Sequence, residues 1–199
     1  GSLHHRGSGC FLSTEAAMPA SFYYHPIRTR LCPAAILWSE DGRRPRVARI
    51  LFPAVFGRIG GTFPGTMRKS TRAVTKLGED LAAFAEGRPV SFDTALLDMD
   101  QVTPFQRKVL AALAAIPRGK VMSYGGLAAK TGSPGGARAA GQGCGKNPFP
   151  VVYPCHRVIR ADGSLGGFFG GLELKRALLE MEGIRFDKGG KVLREYILC

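Results

Sequence analysis

The residues of this chain best suited to chemistry lie in one run, KNPFPVVYPCHRVIR, from Lys146 to Arg160. It delivers Cys155 with His156 and Arg157 directly behind it. A free thiol ionises at about pH 8.5, so only a few per cent is nucleophilic thiolate at neutral pH. An adjacent imidazole and guanidinium in basic surroundings favour the thiolate, and hence group transfer to sulfur. Pro148, Pro150 and Pro154 exclude a helix and predict a rigid extended path, with Val151-Val152-Tyr153 as a short buried strand. Neighbours in a strand point to opposite faces, so His156 is expected to reach Cys155 through a bridging water. On these residues alone, a buried inert cysteine is the competing reading. The next segment, GSLGGFFGG, is a Gly-rich loop with two aromatics, Phe168 and Phe169, suited to holding a flat ligand against backbone.

Charge points to the partner. Of 199 residues, 28 are Lys or Arg and 15 are Asp or Glu, a formal charge of +13. From Gln101 to Ala161 there are nine Lys or Arg and no acid. A folded segment without acids usually faces a polyanion, most commonly nucleic acid; a basic surface with no partner is the alternative. Five cysteines, at positions 10, 32, 144, 155 and 199, show no paired spacing, which reads as reduced thiols in an intracellular protein. Neither Cys10 nor Cys32 has the paired spacing of zinc ligands with His4, His5 or His25, so no metal is expected. No apolar run approaches the roughly eighteen residues of a membrane helix, and no membrane partner is expected.

The elements that must position these residues follow from periodicity and breakers. Residues 1–20, opening GSLHHRGSG, are expected to be disordered or foreign to the fold. Residues 21–100 read as an N-terminal α/β unit with its linker. In it FYYHPI, AAILWS and VARILFPAVF are strands of a small antiparallel sheet. A helix from Met67 to Glu86 follows, with Val74, Leu77, Leu81 and Phe84 on one stripe, and 88–103 links to a second unit. That unit, 101–186, is mainly helical, and 187–199 form a tail. Thr103 caps and Pro104 opens a helix to about Ile116, and Pro117-Arg118-Gly119 turns the chain. Ser123 caps a short helix from Tyr124 to Lys130. After a break at Thr131-Gly132-Ser133-Pro134, Gly136 to Gly145 forms another.

Helix, turn and helix in a basic stretch make a helix-turn-helix candidate, with an ordinary helical hairpin as the alternative. The second helix, GGARAAGQGCG, is nearly all Gly and Ala, poor by propensity. Small residues let a backbone come close to a narrow DNA groove, with Arg138 the one long side chain aimed at the duplex. For Arg138 a phosphate contact or a solvated charge is the alternative.

Around Pro154-Cys155-His156-Arg157-Val158 stand Ser123-Tyr124 before Leu127-Ala128, Ala137-Arg138-Ala139 before Gly141, and Asn147-Pro148. Gly170-Gly171-Leu172 and Lys175 to Glu182 follow, so that the pattern runs from about Phe105 to Gly183. In these residues the chain closely resembles the O6-alkylguanine-DNA alkyltransferase family. The resemblance implies an α/β (α+β) chain with a ribonuclease-H-like N-terminal sheet and helix, then a winged-helix-like DNA-binding domain. It implies single-turnover, irreversible transfer of an alkyl group from O6-alkylguanine, and from O4-alkylthymine, in double-stranded DNA to Cys155. A monomer without a cofactor, in cytoplasm or nucleus, is expected.

The resemblance also implies roles. His156 is similar to the family's water-mediated base, Glu182 to the carboxylate that orients it, and Asn147 to the brace of the active-site turn. Tyr124 resembles the proton donor to the leaving guanine, which also crowds the phosphate so that the nucleotide rotates out. Arg138 resembles the finger that replaces the rotated base, with Gly125, Ser133, Gln106 and Ala137 as further DNA contacts. Backbone at Cys155 and Val158 would read the guanine edge, and Pro150, Phe168 and Phe169 would wall the pocket. Phe169 departs from the pattern, being bulkier than the small residue often found there. Two other classes stand beside this reading: a non-catalytic damage-binding relative, which Cys155 argues against, and a helix-turn-helix regulator in which Cys155 is incidental. The regulator predicts long polar side chains on the second helix, and GARAAGQG has few.

Overall fold

The computed structural model describes residues 21–42, 44–52, 63 and 65–198. Residues 1–20, expected to be disordered or foreign to the fold, Cys199 and the end of VARILFPAVF beyond Phe52 lie outside the described residues. The chain is a mixed α/β protein. Its first sheet has the order β3-β2-β1-β4, with β1 Tyr23–Ile27, β2 Ala34–Asp41, β3 Arg44–Leu51 and β4 Met67–Arg68. The first three strands are antiparallel, as expected, while β4 runs parallel to β1. β2 is apolar on both faces because both are covered. Ile36 and Trp38 join the main core with Val74, Leu77 and Phe84, whereas Ala35 and Leu37 pack with Ala48 and Leu51 under Phe22 and Phe63.

Helix α1 spans Arg72–Ala85, starting five residues later than the sequence predicts. Thr71 sets the boundary: its hydroxyl accepts the Val74 N–H at 3.3 Å, satisfying one of the donors a helix start leaves free. Met67, exposed, adds nothing to the apolar stripe and lies in β4 instead. Gly78 is where α1 meets β1, since a Cβ there would lie 3.0 Å from the His25 ring. Nor is 88–103 a free linker. The Asp98 N–H donates to the Val47 carbonyl at 2.8 Å, and Arg46 grips the carboxylates of Asp98 and Asp100, so the segment covers the open edge of β3.

Beyond it, α2 spans Pro104–Ala114, capped by Thr103. β5 (Val121–Ser123) leads into α3 (Tyr124–Lys130), where the Ser123 hydroxyl accepts the Gly126 N–H at 3.0 Å. After the 131–136 turn comes α4, Ala137–Gly145. The small residues of α4 have a purpose the sequence reading missed. Ala140 and Gly143 form its buried face, and a Cβ on Gly143 would meet Val109 at 2.9 Å. Helix packing against α2 therefore requires them as much as any groove does. Arg138, Ala139 and Gln142 occupy the exposed face.

The tail is not loose. β6 (Val158–Ile159) and β7 (Ile197–Leu198) both pair parallel with β5, making a second sheet of order β6-β5-β7. Lys120 donates to the Glu195 carbonyl at 2.8 Å, fastening the return. Between β6 and the tail, α5 spans Leu172–Met181. One continuous core runs from Ile36, Trp38 and Phe84 through Leu113 and Phe149 to Cys155 and Leu178, so the N-terminal sheet and the helical part stabilise each other.

Candidate active site

Cys155 emerges from a tight turn, not from a strand. Pro148 and Pro150 exclude a helix but leave a turn open, and the chain folds back so that the Tyr153 N–H donates to the Phe149 carbonyl at 2.9 Å. Val151, at φ +76°, occupies left-handed backbone that a β-branched residue adopts at a cost of about 1–3 kcal/mol. Its burial in the core and the side chain of Asn147 hold it there. Asn147 accepts the Phe149 N–H at 2.9 Å and donates to the Tyr153 carbonyl at 2.8 Å, bridging the turn from inside. Cys155 to Arg157 then form one 3-10 turn, all three buried.

Behind the thiol, His156 Nε2 lies 2.9 Å from Glu182 Oε1, both side chains fully buried. Arg157 turns away from Cys155. Its guanidinium forks onto the same carboxylate, at 2.8 and 2.9 Å, and donates to the Ile116 carbonyl at 2.6 Å. The expected help from Arg157 to the thiolate is therefore spent on Glu182. Burial alone would push Glu182 up, but the hydrogen bonds and charges of His156 and Arg157 outweigh it and hold the carboxyl at about 2. Burial drives His156 below its ordinary value, despite Glu182, so it is neutral. A neutral imidazole donating from Nε2 to a carboxylate has a bare Nδ1, and Nδ1 is buried without a partner among the described residues. Phe84 of α1 meets the same ring edge-on, centroids 6.1 Å apart.

Cys155 is 8% exposed, and burial pushes its thiol up, against the pull of Asn147, Lys175 and the N–H groups of Cys155 and His156. At rest it is a thiol, contrary to the expectation that basic surroundings keep it ionised. Desolvation outweighs the nearby charge. A second thiol, Cys144 on α4, lines the same cleft; burial pushes it up to about 12, with Lys175 as its one opposing cation.

Lys175, which sequence reading left without a role, is the cation that faces these thiols. It is fully buried, and its ammonium donates to the carbonyls of Val158, Leu165 and Gly167 with no carboxylate partner among the described residues. Burial brings it down to about 8. Only its apolar neighbours in α5, Leu174, Leu178 and Leu179, could have signalled that this face is inward.

The cleft above Cys155 has a volume of about 620 Å³. Tyr124 lines it, pushed up to about 12 mainly by burial, and so carries its proton at neutral pH. Pro150, Phe168 and Phe169 also line it; the Phe168 ring meets Phe52 tilted at 47°, centroids 6.1 Å apart, while Phe169 is 58% exposed at the rim. Val158 does not line the cleft: it is buried in β6, and its carbonyl accepts from Lys175.

Of the other sequence-named residues, Arg138 and Gly125 are exposed, and Ser133 and Ala137 half-buried, on the α3–α4 face. Gln106 sits apart on α2 and uses its side-chain amide to hold the Lys146 carbonyl at the end of α4. Among the described residues no three His, Cys, Asp or Glu side chains gather as metal ligands would, and no helix is long and apolar enough to cross a membrane.

Comparison with known proteins agrees with this arrangement. Residues 104–184 match the family described as 6-O-methylguanine DNA methyltransferase, DNA binding domain. The methylated-DNA–protein-cysteine methyltransferase of Methanothermobacter thermautotrophicus is 39% identical over 157 residues, covering 79% of this chain and 83% of that protein. The protein of that name from Shigella flexneri is 52% identical over 128 residues, 64% of this chain and 68% of its own length. The structure resembles the crystal structure of Mycobacterium tuberculosis OGT in complex with DNA, with a TM-score of 0.67 and 34% identity over 80% of this chain and 92% of that one. On the extent of these matches, with Cys155 and its neighbours in place, the chain belongs to the methylated-DNA–protein-cysteine methyltransferase family.

Proposed function

We propose that this chain repairs alkylated DNA directly, by moving the alkyl group of an O6-alkylguanine onto Cys155. The observation that carries the reading is the buried imidazole of His156, next to Cys155 in the chain, with Nε2 2.9 Å from Glu182 and Nδ1 without a partner among the described residues. A buried ring nitrogen without a partner calls for a water, and a water between Nδ1 and the thiol can carry a proton. His156 then makes the thiolate on demand, and Glu182 stabilises the imidazolium that forms.

The alkylated oxygen is out of reach inside the base stack, so the nucleotide rotates out, at a cost of a few kcal/mol, with Arg138 filling the gap. In the cleft the sulfur forms a bond to the alkyl carbon as the carbon–O6 bond breaks. The electron pair passes into the guanine ring, which takes a proton from the Tyr124 hydroxyl. The imidazolium proton restores the phenol through solvent, so atoms and charges balance. The thioether is stable, and each molecule reacts once.

Incubation with a duplex containing O6-methylguanine, followed by peptide mapping, is expected to show one methyl on Cys155 and none on Cys32 or Cys144. A methyl on Cys144, or undiminished transfer by Cys155→Ala, overturns the reading. Binding of the lesion by the wild-type protein without transfer favours a damage-binding protein instead.

A further inference from the structure

We propose that Arg49 and Lys146 form a phosphate clamp at the mouth of the Cys155 cleft, holding the backbone of the damaged strand beside the rotated nucleotide. The proposal rests on the repair reading and adds a DNA contact from the N-terminal sheet. Its basis is a junction between distant parts of the chain. The Ile50 N–H on β3 donates to the Pro148 carbonyl at 2.9 Å, which brings the strand against the segment that ends α4. Arg49 and Lys146 flank that bond in sequence, one and two residues away, and both side chains are exposed and line the cleft.

Neither cation is neutralised by an acid. Arg46, three residues earlier on β3, is held by Asp98 and Asp100, Lys69 by Glu40 at 2.8 Å, and Arg157 by Glu182. Among the described residues Arg49 and Lys146 have no such partner, and no Asp or Glu lines the cleft. Two unneutralised cations beside an opening that no acid lines concentrate positive potential where an anion must pass. A nucleotide rotated into the cleft brings its base inside but leaves its phosphates at the rim, because they remain joined to the duplex. An Arg fork and a Lys point charge suit those phosphates. A contact from Arg49 on β3 would add to those of the α3–α4 face, where Arg138 lies.

The test uses the full chain with Cys155→Ala throughout, so that no transfer intervenes, and equilibrium binding to a duplex containing O6-methylguanine over a range of salt. Adding Arg49→Gln is expected to reduce the slope of log affinity against log salt by about 0.9, the loss of one phosphate contact, while Arg49→Lys retains it. Lys146→Gln is expected to act likewise and additively. On a duplex whose phosphates flanking the lesion are neutral methylphosphonates, Arg49→Gln and its parent should bind alike. A slope unchanged by Arg49→Gln, with the melting temperature preserved, overturns the clamp, as does an equal loss on the neutralised duplex. Failure of the clamp leaves the methyl on Cys155 of the wild-type protein untouched, so the two readings fail separately.

Discussion

Lys175 and Tyr124 share one acceptor: the carbonyl of Gly167 receives the ammonium at 3.2 Å and the phenol hydroxyl at 3.3 Å. The lysine also lies 6.0 Å from the centre of the tyrosine ring. One buried cation thus fixes the loop that orients the proton donor and supplies positive charge to the thiol. Removing a charge that shifts the Cys155 equilibrium by one pKa unit costs about tenfold in thiolate. Lys175→Met is expected to slow transfer by about that factor at pH 7. Because Lys175 titrates at about 8, the deficit should shrink as pH rises beyond it. Equal deficits at pH 6.5 and pH 9.5 would assign Lys175 a purely structural role.

His156 and Glu182 are expected to act as one unit. Transfer rates for His156→Ala, Glu182→Gln and the double variant should show that the second change adds little to the first. Fully multiplicative losses would count against a relay. Folding is coupled to the same pair. Glu182 is held at about 2 against an ordinary 4.5, and the carboxylate contributes stability above that ordinary value, which is lost as pH falls from about 4.5 to about 2. His156, lowered by burial, acts in the same sense below 6.5, because the unfolded chain takes up the proton first. Melting temperature should therefore fall through both windows. Glu182→Ala, which leaves Arg157 buried without its carboxylate, should cost about 3–5 kcal/mol.

The turn before Cys155 offers a different test. Asn147→Ala removes two hydrogen bonds that hold Val151 at positive φ, and is expected to cost about 1–3 kcal/mol and slow transfer. Val151→Gly in the same protein relieves the backbone strain and should restore part of the stability. If Val151→Gly destabilises Asn147→Ala further, lost side-chain packing outweighs the relieved strain.

Much of this site was legible because it is local. Ser123 and Thr103 cap their helices as their types demand, and the Cys155-His156 pair is contiguous in the chain. The rest depends on contacts the sequence does not encode nearby. Prolines exclude a helix without choosing between strand and turn, so the sequence predicts an extended Val151 where the fold has a turn. Proximity in the chain pairs Arg157 with Cys155, two residues away, yet folding brings it to Glu182, 25 residues on. Glu182 acquired a role only through family resemblance, and Lys175 none, because three backbone carbonyls from β6 and the 165–167 loop converge on it only in the folded chain. The parallel return of β7 was invisible because two residues carry no periodicity.

Arg138 should matter for DNA and hardly at all for free alkylated bases. It stands exposed on α4, between small residues, and makes no hydrogen bond or ion pair among the described residues. If it fills the space left by a rotated nucleotide, its removal withdraws part of what offsets flipping. Flipping costs a few kcal/mol, so losing half of the compensation slows repair by roughly tenfold or more. A free base such as O6-benzylguanine needs no flipping, and Arg138→Ala should react with it at nearly the normal rate. A phosphate contact would also spare the free base, so salt dependence must separate the two. Losing a phosphate contact lowers the salt slope by about one unit, whereas losing the finger lowers the transfer rate of DNA already bound. Single-turnover kinetics at saturating protein read that rate directly. An unchanged bound-state rate with weaker affinity alone would make Arg138 an ordinary backbone contact and leave the gap in the stack to be filled by another group.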